Sequence, residues 1–204
     1  MPLNIPELII IIPVILFSIT IHEYSHGKAA LSLGDPTAKN AGRLTLNPIS
    51  HIDPIGAICL FLFHFGWAKP VPVDTRYFKN KRQDIILMSL SGPVANFSAA
   101  LIAGLFYRYF QLPFMVYQLV LEYLVWFNVA LGLFNLIPIP PLDGSHVLEN
   151  LLPPSSSDKY RQMRRYAPYL LLTILLMDRF LHTGIIGSVL FTPLQFLTRL
   201  FLGV

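Results

Sequence analysis

The feature that most restricts the fold of this chain is a series of long apolar runs, which recur from the first residues to the last. A transmembrane helix needs roughly 20 predominantly apolar residues. About five segments meet that requirement and are predicted to cross a bilayer: 5–33, 83–110, 113–137, 166–182 and 184–202. Hydrophobic residues make up 54% of the chain and charged residues only 13%, whereas soluble domains carry about 25% charged residues. The sequence therefore predicts an all-α polytopic membrane protein in contact with a lipid bilayer.

The distribution of positive charge predicts an orientation. Short cytoplasmic loops of membrane proteins carry an excess of Lys and Arg. If the apolar run 55–66 enters the membrane and returns, all of the 15 Lys and Arg residues except Arg108 and Arg179 lie on one side, Arg199 included. A crossing at 55–66 would instead divide the cations between both sides. We therefore expect 55–66 to be re-entrant and the amino terminus to face outside.

The composition also limits the domain organisation and the partners. No stretch is polar enough to form a separate soluble domain, so 1–204 is expected to be a single domain. The net charge is +4, but the Lys and Arg residues lie between apolar runs, as in the short loops of a membrane protein. This position argues against nucleic acid as a partner. Cys59 is the only cysteine, which excludes an intrachain disulfide and a cysteine-based zinc cluster. The first apolar run lacks the basic start and cleavage site of a secretory signal, so we expect it to remain as a helix of the mature protein. A minimal chain without a targeting sequence is typical of a prokaryotic cytoplasmic membrane, where we expect this protein.

Residues 35–80, between the first two predicted spans, contain too many proline and glycine turns for a long helix. Alternating and β-branched residues indicate short strands at 43–46 and 69–73. Prolines in the second strand are typical of a sheet edge. We predict a small membrane-associated β and re-entrant region here. Its edge, which we place in 66–73, would capture an extended substrate by adding it as a further strand.

An H-E-x-x-H motif at 22–26 lies near the inner end of the first predicted span. Positions i and i+4 of a helix project from one face, so His22 and His26 can bind one Zn²⁺ while Glu23 accepts a proton from the attacking water. The alternative is that these side chains only form hydrogen bonds with neighbouring helices. Ionisable groups in an apolar helix are costly to bury, however, and mark a functional site. We interpret the motif as a zinc site.

Catalytic zinc normally has three protein ligands, so a third is required. The candidates in or near the membrane are Asp53, Asp143, Glu122, Glu149, His51, His64 and His146. Asp143 is favoured because prolines end the preceding apolar helix and Gly144 permits a tight backbone, which returns the carboxylate to the depth of the two histidines. Two alternatives stay open. Asp143 could cap the helix predicted at 145–152, and His146 could be the ligand instead.

Three motifs together resemble the site-2 protease family of intramembrane zinc metalloproteases, peptidase family M50. They are H-E-x-x-H at 22–26, S-G-P-V-A-N at 91–96 and N-x-x-P-x-x-P-L-D-G at 135–144. The order of the motifs also matches that family. The similarity is to its minimal branch, which lacks PDZ and CBS domains.

The resemblance implies an endopeptidase that cleaves transmembrane or membrane-associated proteins. The distribution of positive charge predicts that its active site lies toward the cytoplasmic side. The resemblance also implies one zinc ion per chain, bound by His22, His26 and Asp143. It implies Glu23 as the catalytic acid and base. Two side-chain amides are implied near the substrate: Asn135 and Asn96.

Other interpretations of the same residues stay open. A different class of membrane zinc peptidase would use a Glu as the third ligand, and an inactive relative would serve as a membrane binding or scaffold protein. A transporter would use His and Asp as a proton relay. His51 and Asp53 are interpreted as turn residues, and His64 and His182 as interfacial. The sequence does not predict the substrate, the cleavage site, a regulator or the oligomeric state.

Overall fold

A computed structural model describes the backbone of residues 5–63, 66–164, 166–181 and 183–204. Within these ranges the chain is mostly helical. The helices are α1 (Ile5–Ser32), α2 (Thr37–Asn40), α3 (Pro54–Phe63), α4 (Lys81–Tyr109), α5 (Met115–Asn135), α6 (Asp143–Leu151), α7 (Pro154–Met163), α8 (Ala167–Leu181) and α9 (Ile185–Leu202). Short 3₁₀ turns occur at Pro48–His51 and Thr75–Tyr77.

Three of these helices contain stretches long and apolar enough to cross a membrane: Glu7–Ser32, Lys81–Tyr109 and Met115–Asn135. They correspond to the first three predicted spans. α4 packs against both α1 and α5, and α1 also contacts α5. The buried cluster between α4 and α5 includes Ala100 and Ala103, whose small side chains let the two helix backbones approach closely. These three helices form the framework of the bundle.

The fourth and fifth predicted crossings are not confirmed. The apolar stretches in α8 and α9 are shorter, at Tyr169–Asp178 and Gly187–Leu202. Both fall below the roughly 20 residues that a crossing helix needs. The count of about five crossings therefore stays a prediction.

The course of α9 contradicts one prediction about sidedness. The carboxyl ends of α4 and α9 lie side by side, because the Arg108 guanidinium donates a hydrogen bond to the Leu200 carbonyl and Gly104 lies against the backbone of Phe201. Arg108 and Arg199 line the same cleft. The placement of these two arginines on opposite sides is therefore wrong. Charge counting assumed that the carboxyl ends of α4 and α9 lie on opposite sides, whereas α9 packs against α4 and α5 with its carboxyl end beside that of α4.

The region between α1 and α4 contains extended segments instead of the predicted sheet. In the described part of this region, bridge pairing is limited to Ile52 and Ala68. The strands predicted at 43–46 and 69–73 do not form, in part because prolines in the second segment have no N–H to donate to a ladder. α3 is a helix of 10 residues, which is too short to cross a membrane. The re-entrant path predicted for 55–66 is not confirmed.

A buried aspartate joins this region to the end of α1. Asp35 is fully buried, and its Oδ1 accepts a hydrogen bond from the Thr37 N–H at 2.9 Å. Its Oδ2 accepts one from the Asp74 N–H at 2.7 Å. This one carboxylate thereby holds the start of the 35–80 segment against its end.

Candidate metal centre

His22 and His26 lie one turn apart on α1 and face the interior of the bundle. Their side chains are nearly inaccessible, with residue exposures of 5% and 7%. The two Nε2 atoms are 3.0 Å apart. The helical spacing therefore brings both imidazoles to one point, as predicted from the motif.

Asp143 reaches the same point from the other side of the bundle. α5 ends at Asn135, the proline-rich segment that follows is not helical, and α6 begins at Asp143. The Asp143 Oδ2 atom lies 3.1 Å from His22 Nε2 and 3.2 Å from His26 Nε2. The potential ligand atoms of these three residues all lie within 4.8 Å of one another. The structure thus brings together the three residues predicted as zinc ligands.

The start of α6 shows why Asp143 is placed there. A Cβ at Gly144 would collide with the carbonyl groups of Leu136 and Ile137, so glycine lets α6 begin directly against the end of α5. Leu142 occupies the N-cap position of α6 and makes no side-chain cap hydrogen bond. Asp143 is the first residue of the helix. The geometry therefore favours a ligand role for Asp143 over the alternative role as a cap.

Hydrogen bonds on the far side of each ring determine which imidazole nitrogen carries the proton. His26 Nδ1 lies 2.9 Å from the carbonyl oxygen of Met88, which can only accept, so Nδ1 is protonated. His22 Nδ1 lies 2.6 Å from Asn96 Oδ1, which also accepts. Both rings therefore present the lone pair of Nε2 to Asp143. This is the tautomer that a metal ligand requires.

The contacts at this point fit a bound cation. Two Nε2 lone pairs and a carboxylate oxygen face one another, and Asp143 Oδ2 is buried without a hydrogen-bond donor. A carboxyl group is ordinarily ionised at neutral pH, and here one of its oxygens meets two lone pairs and no proton donor. A buried anion without a donor is costly. Two imidazoles and one carboxylate are a donor set that suits zinc, so these residues fit the ion.

α4 packs against the metal centre at Gly92. A Cβ at the buried Gly92 would lie 2.5 Å from His26 Nε2 and 2.7 Å from His22 Cε1. Real Cβ atoms essentially never approach other heavy atoms below 3.0 Å. Gly92 therefore allows the backbone of α4 to lie directly against both rings.

Replacing Gly92 with Ala should weaken zinc binding by about tenfold or more, because the new methyl group would push the rings off a common point. Chelator competition on the purified protein measures the change. The matched control is Gly187→Ala in α9, where a Cβ meets nothing within 4 Å. Equal zinc affinity in both variants would contradict the tight contact at Gly92.

Glu23 is half-buried on α1 next to His22. Its Oε2 accepts a hydrogen bond from the Val71 N–H at 3.0 Å. The segment that contains Val71 is held by Lys69, whose N–H donates to the His51 carbonyl at 3.0 Å and whose carbonyl accepts from the Arg43 guanidinium at 2.8 Å. The segment predicted to present substrate therefore lies across Glu23 and uses one backbone N–H to hold its carboxylate.

The competing acidic candidates are engaged elsewhere. Glu122 accepts a hydrogen bond from the Tyr107 hydroxyl at 2.9 Å. Glu149 forms an ion pair with Arg161 at 3.0 Å. Asp53 accepts from the Gly56 N–H at 2.8 Å, at the start of α3. Among the described residues, none of these three acids belongs to the group around His22.

The competing histidines also lie outside the group. His51 Nε2 donates to the Thr45 carbonyl at 2.9 Å within the turn at Pro48–His51, which agrees with its interpretation as a turn residue. His146 Nε2 lies 3.3 Å from an Arg164 nitrogen, and burial together with the charge of Arg164 lowers the pKa of His146. A guanidinium beside this ring disfavours a metal there. His64 and His182 lie outside the described residues.

The two predicted substrate amides differ in position. Asn135, at the end of α5, is half-buried and donates to the Leu131 carbonyl at 3.0 Å. Asn96 is fully buried and bonded to His22, which favours a role in orienting that ring over contact with substrate. Sequence reasoning missed the next residues in this chain of contacts, Ser18 and Asn128. An amide inside an apolar span was the signal that could have revealed Asn128.

Comparisons with known proteins agree with the chemistry of this centre. Residues 111–177 match a family model described as peptidase family M50. "Putative zinc metalloprotease YwhC" of Bacillus subtilis is 40% identical over 173 residues, which cover 81% of this chain and 78% of that protein. No solved structure matches the chain.

Two mycobacterial proteins are more distant relatives. "Putative zinc metalloprotease Rip2" of Mycolicibacterium smegmatis is 30% identical over 169 residues, and the protein of the same name from Mycobacterium tuberculosis is 29% identical over 168. Each match covers 79% of this chain and 64% of the relative. Together with the match to the Bacillus protein, these findings confirm the resemblance stated from the motifs. The chain belongs to peptidase family M50, the site-2 protease family of membrane zinc metalloproteases.

Proposed function

We propose that this protein is an intramembrane zinc endopeptidase that hydrolyses peptide bonds in transmembrane or membrane-associated proteins. The observation that carries the proposal is the convergence of three acceptors, His22 Nε2, His26 Nε2 and Asp143 Oδ2, beside Glu23 within the bundle. Such a centre has a cation site and a proton acceptor on adjacent residues. Membership of a zinc metalloprotease family supports the same reaction.

His22, His26 and Asp143 would hold the ion. When bound, zinc supplies a Lewis acid that polarises the scissile carbonyl and makes water more acidic. Glu23 then accepts the proton of the attacking water and delivers it to the leaving amine nitrogen. The Val71 N–H donates to Glu23 Oε2 and so restricts the orientation of the carboxylate that takes this proton.

The peptide must be extended before it can react, because a helical substrate uses its backbone groups in internal hydrogen bonds. Asn135 is our candidate for a donor to the substrate backbone or the developing oxyanion, an interaction worth a few kcal/mol. It lies where α5 ends and the segment leading to Asp143 begins.

We further propose that the protein lies in a prokaryotic cytoplasmic membrane with its amino terminus outside and the metal centre toward the cytoplasm. The three long apolar helices and the bacterial relatives support the location. The cations of the 35–80 region follow the inner end of α1 and support the orientation. The orientation can be tested by attaching to each terminus a reporter enzyme that works only in the cytoplasm. Activity of this reporter at the amino terminus would contradict the proposed orientation.

The reaction can be tested on the purified protein in detergent. We expect about one zinc per chain and cleavage of a transmembrane peptide at an internal bond, identified by mass spectrometry of both fragments. Cleavage should stop on chelation and return with added zinc. Zinc-loaded protein that releases no fragments from a library of transmembrane peptides, yet conducts protons in vesicles, would favour a transporter and overturn the proposal.

A further inference from the structure

A chain of polar side chains crosses the interior of the bundle behind the metal centre. It consists of Ser18 on α1, Asn96 on α4 and Asn128 on α5, and we call these three residues the amide relay. Both asparagines are 0% exposed and Ser18 is 1% exposed. All three lie within the stretches that are apolar enough to cross a membrane. Polar groups at such positions are expensive unless each donor and acceptor is paired.

The far end of the relay determines the orientation of Asn128. Its Nδ2 lies 2.9 Å from the Leu124 carbonyl oxygen, which can only accept a hydrogen bond. The same Nδ2 donates to Ser18 Oγ at 2.9 Å, and that hydroxyl in turn donates to the Val14 carbonyl at 2.8 Å. The amide oxygen of Asn128 must therefore face the opposite way, toward Asn96.

Asn128 and Ser18 then determine the orientation of Asn96. The Asn96 Nδ2 atom donates to Asn128 Oδ1 at 2.8 Å and to the Ser18 carbonyl at 3.0 Å, so both of its hydrogens are used. Asn96 Oδ1 consequently faces His22 Nδ1, 2.6 Å away. Because this oxygen accepts, His22 Nδ1 must carry the proton and Nε2 keeps its lone pair. The direction of every bond follows from backbone carbonyls outside the centre.

We propose that Asn128 is a positioning residue for the metal centre, which acts through Asn96 to hold His22 in the tautomer and ring orientation that bind zinc. The inference rests on the proposed function only in requiring that zinc binds at His22, His26 and Asp143. Without Asn128, one hydrogen of Asn96 loses its acceptor in an apolar interior. The amide is then held by the Ser18 carbonyl alone, so the orientation of the oxygen that faces His22 is less restricted.

The expected size of the effect follows from the distance of Asn128 from the ion. Loss of a group that directly supports a metal ligand typically costs roughly 10–100-fold in metal affinity or activity. Asn128 lies one hydrogen bond further away. We therefore expect Asn128→Leu, which keeps the side-chain size but removes both polar atoms, to weaken zinc binding about tenfold.

The test compares zinc affinity and the absorption spectrum of the cobalt-substituted protein, which reports the geometry of the ligands. The matched control is Tyr107→Phe, which removes a different hydrogen bond between α4 and α5, the one to Glu122. Asn128→Leu should weaken zinc binding and shift the cobalt bands, whereas the control should do neither. A general loss of packing would affect the two variants alike, and that result would overturn the inference.

Two further variants test the route of the effect. Ser18→Ala removes one acceptor of Asn128 and should also weaken zinc binding, by less than Asn128→Leu does. This variant tests the inference even if Asn128→Leu does not fold. In an Asn96→Leu background, Asn128→Leu should have no further effect on zinc affinity. Full additivity of the two substitutions would overturn an action through Asn96.

The relay and the proposed function can fail separately. If wild type binds zinc and cleaves peptides while Asn128→Leu and Ser18→Ala bind zinc as tightly as Tyr107→Phe does, the relay is overturned and the protease stands. If wild type binds zinc without cleaving, and Asn128→Leu still weakens binding and shifts the cobalt bands, the relay stands and the protease is overturned.

Discussion

Glu23→Gln is expected to reduce peptide cleavage by at least about a hundredfold, the lower end of what a general acid and base contributes. The amide of Gln cannot take the proton of the attacking water or return it to the leaving amine. Zinc content should stay at about one per chain, because the three ligand atoms belong to other residues. The change is measured as kcat/KM on a transmembrane peptide, with zinc determined by mass spectrometry.

The matched control for this variant is Glu122→Gln. It makes the same chemical change in a helix of the bundle, at a glutamate that accepts from the Tyr107 hydroxyl and lies outside the metal group. This control should cleave as wild type does. In cells, fragments of membrane proteins that appear with wild type and the control, but not with Glu23→Gln, would identify substrates. Equal cleavage by Glu23→Gln and wild type would show that Glu23 is not the base.

Asp143→Asn is expected to lower zinc affinity by more than the roughly 10–100-fold that loss of an outer partner costs. The variant removes the only negative charge among the three ligands. Its new amide can also donate hydrogen bonds to the Nε2 lone pairs of His22 and His26, which stabilises the metal-free centre. Zinc loss without loss of folded structure is therefore expected. Chelator competition and circular dichroism measure the two quantities on one sample.

His146→Gln is the control for Asp143→Asn, since His146 was the competing third ligand. Its ring lies against Arg164, so zinc should be retained. Retention of zinc by Asp143→Asn with loss in His146→Gln would identify His146 as the ligand. Retention of zinc by both variants would favour a glutamate as the third ligand, and Glu149→Gln would then be the variant to measure.

The resemblance of three short motifs was enough to identify the family, and apolar length was enough to predict three long helices. Both depend on local information. The spacing of His22 and His26 is local as well, because one turn of α1 determines which face both rings share. Depth and the prolines after Asn135 made Asp143 the favoured partner of the two histidines, and the resemblance of the motifs to the family decided it. Contact distances and proton positions could not be obtained in this way.

The packing of the carboxyl end of α9 and the conformation of the 35–80 region were beyond sequence reasoning for a different reason. Charge counting treats each loop as a point on one side of a membrane and contains no information about which helix faces pack together. The apolar face of α9 packs beside α4, and this places Arg199 next to Arg108. In the same way, the alternation in 69–73 suggested a strand, but the Val71 N–H has its partner in Glu23 instead of a second strand.

The sequence by itself thus determined the face of α1 that carries both histidines, the family and the membrane setting, and it predicted the approximate depth of Asp143. Only the tertiary structure decided how that face is completed. Gly92, Asn96 and Asn128 come from α4 and α5, far from the H-E-x-x-H motif along the chain, and contribute through close approach and through the direction of hydrogen bonds. Such contacts depend on which atoms meet across three packed helices, and residue type and spacing alone do not specify them.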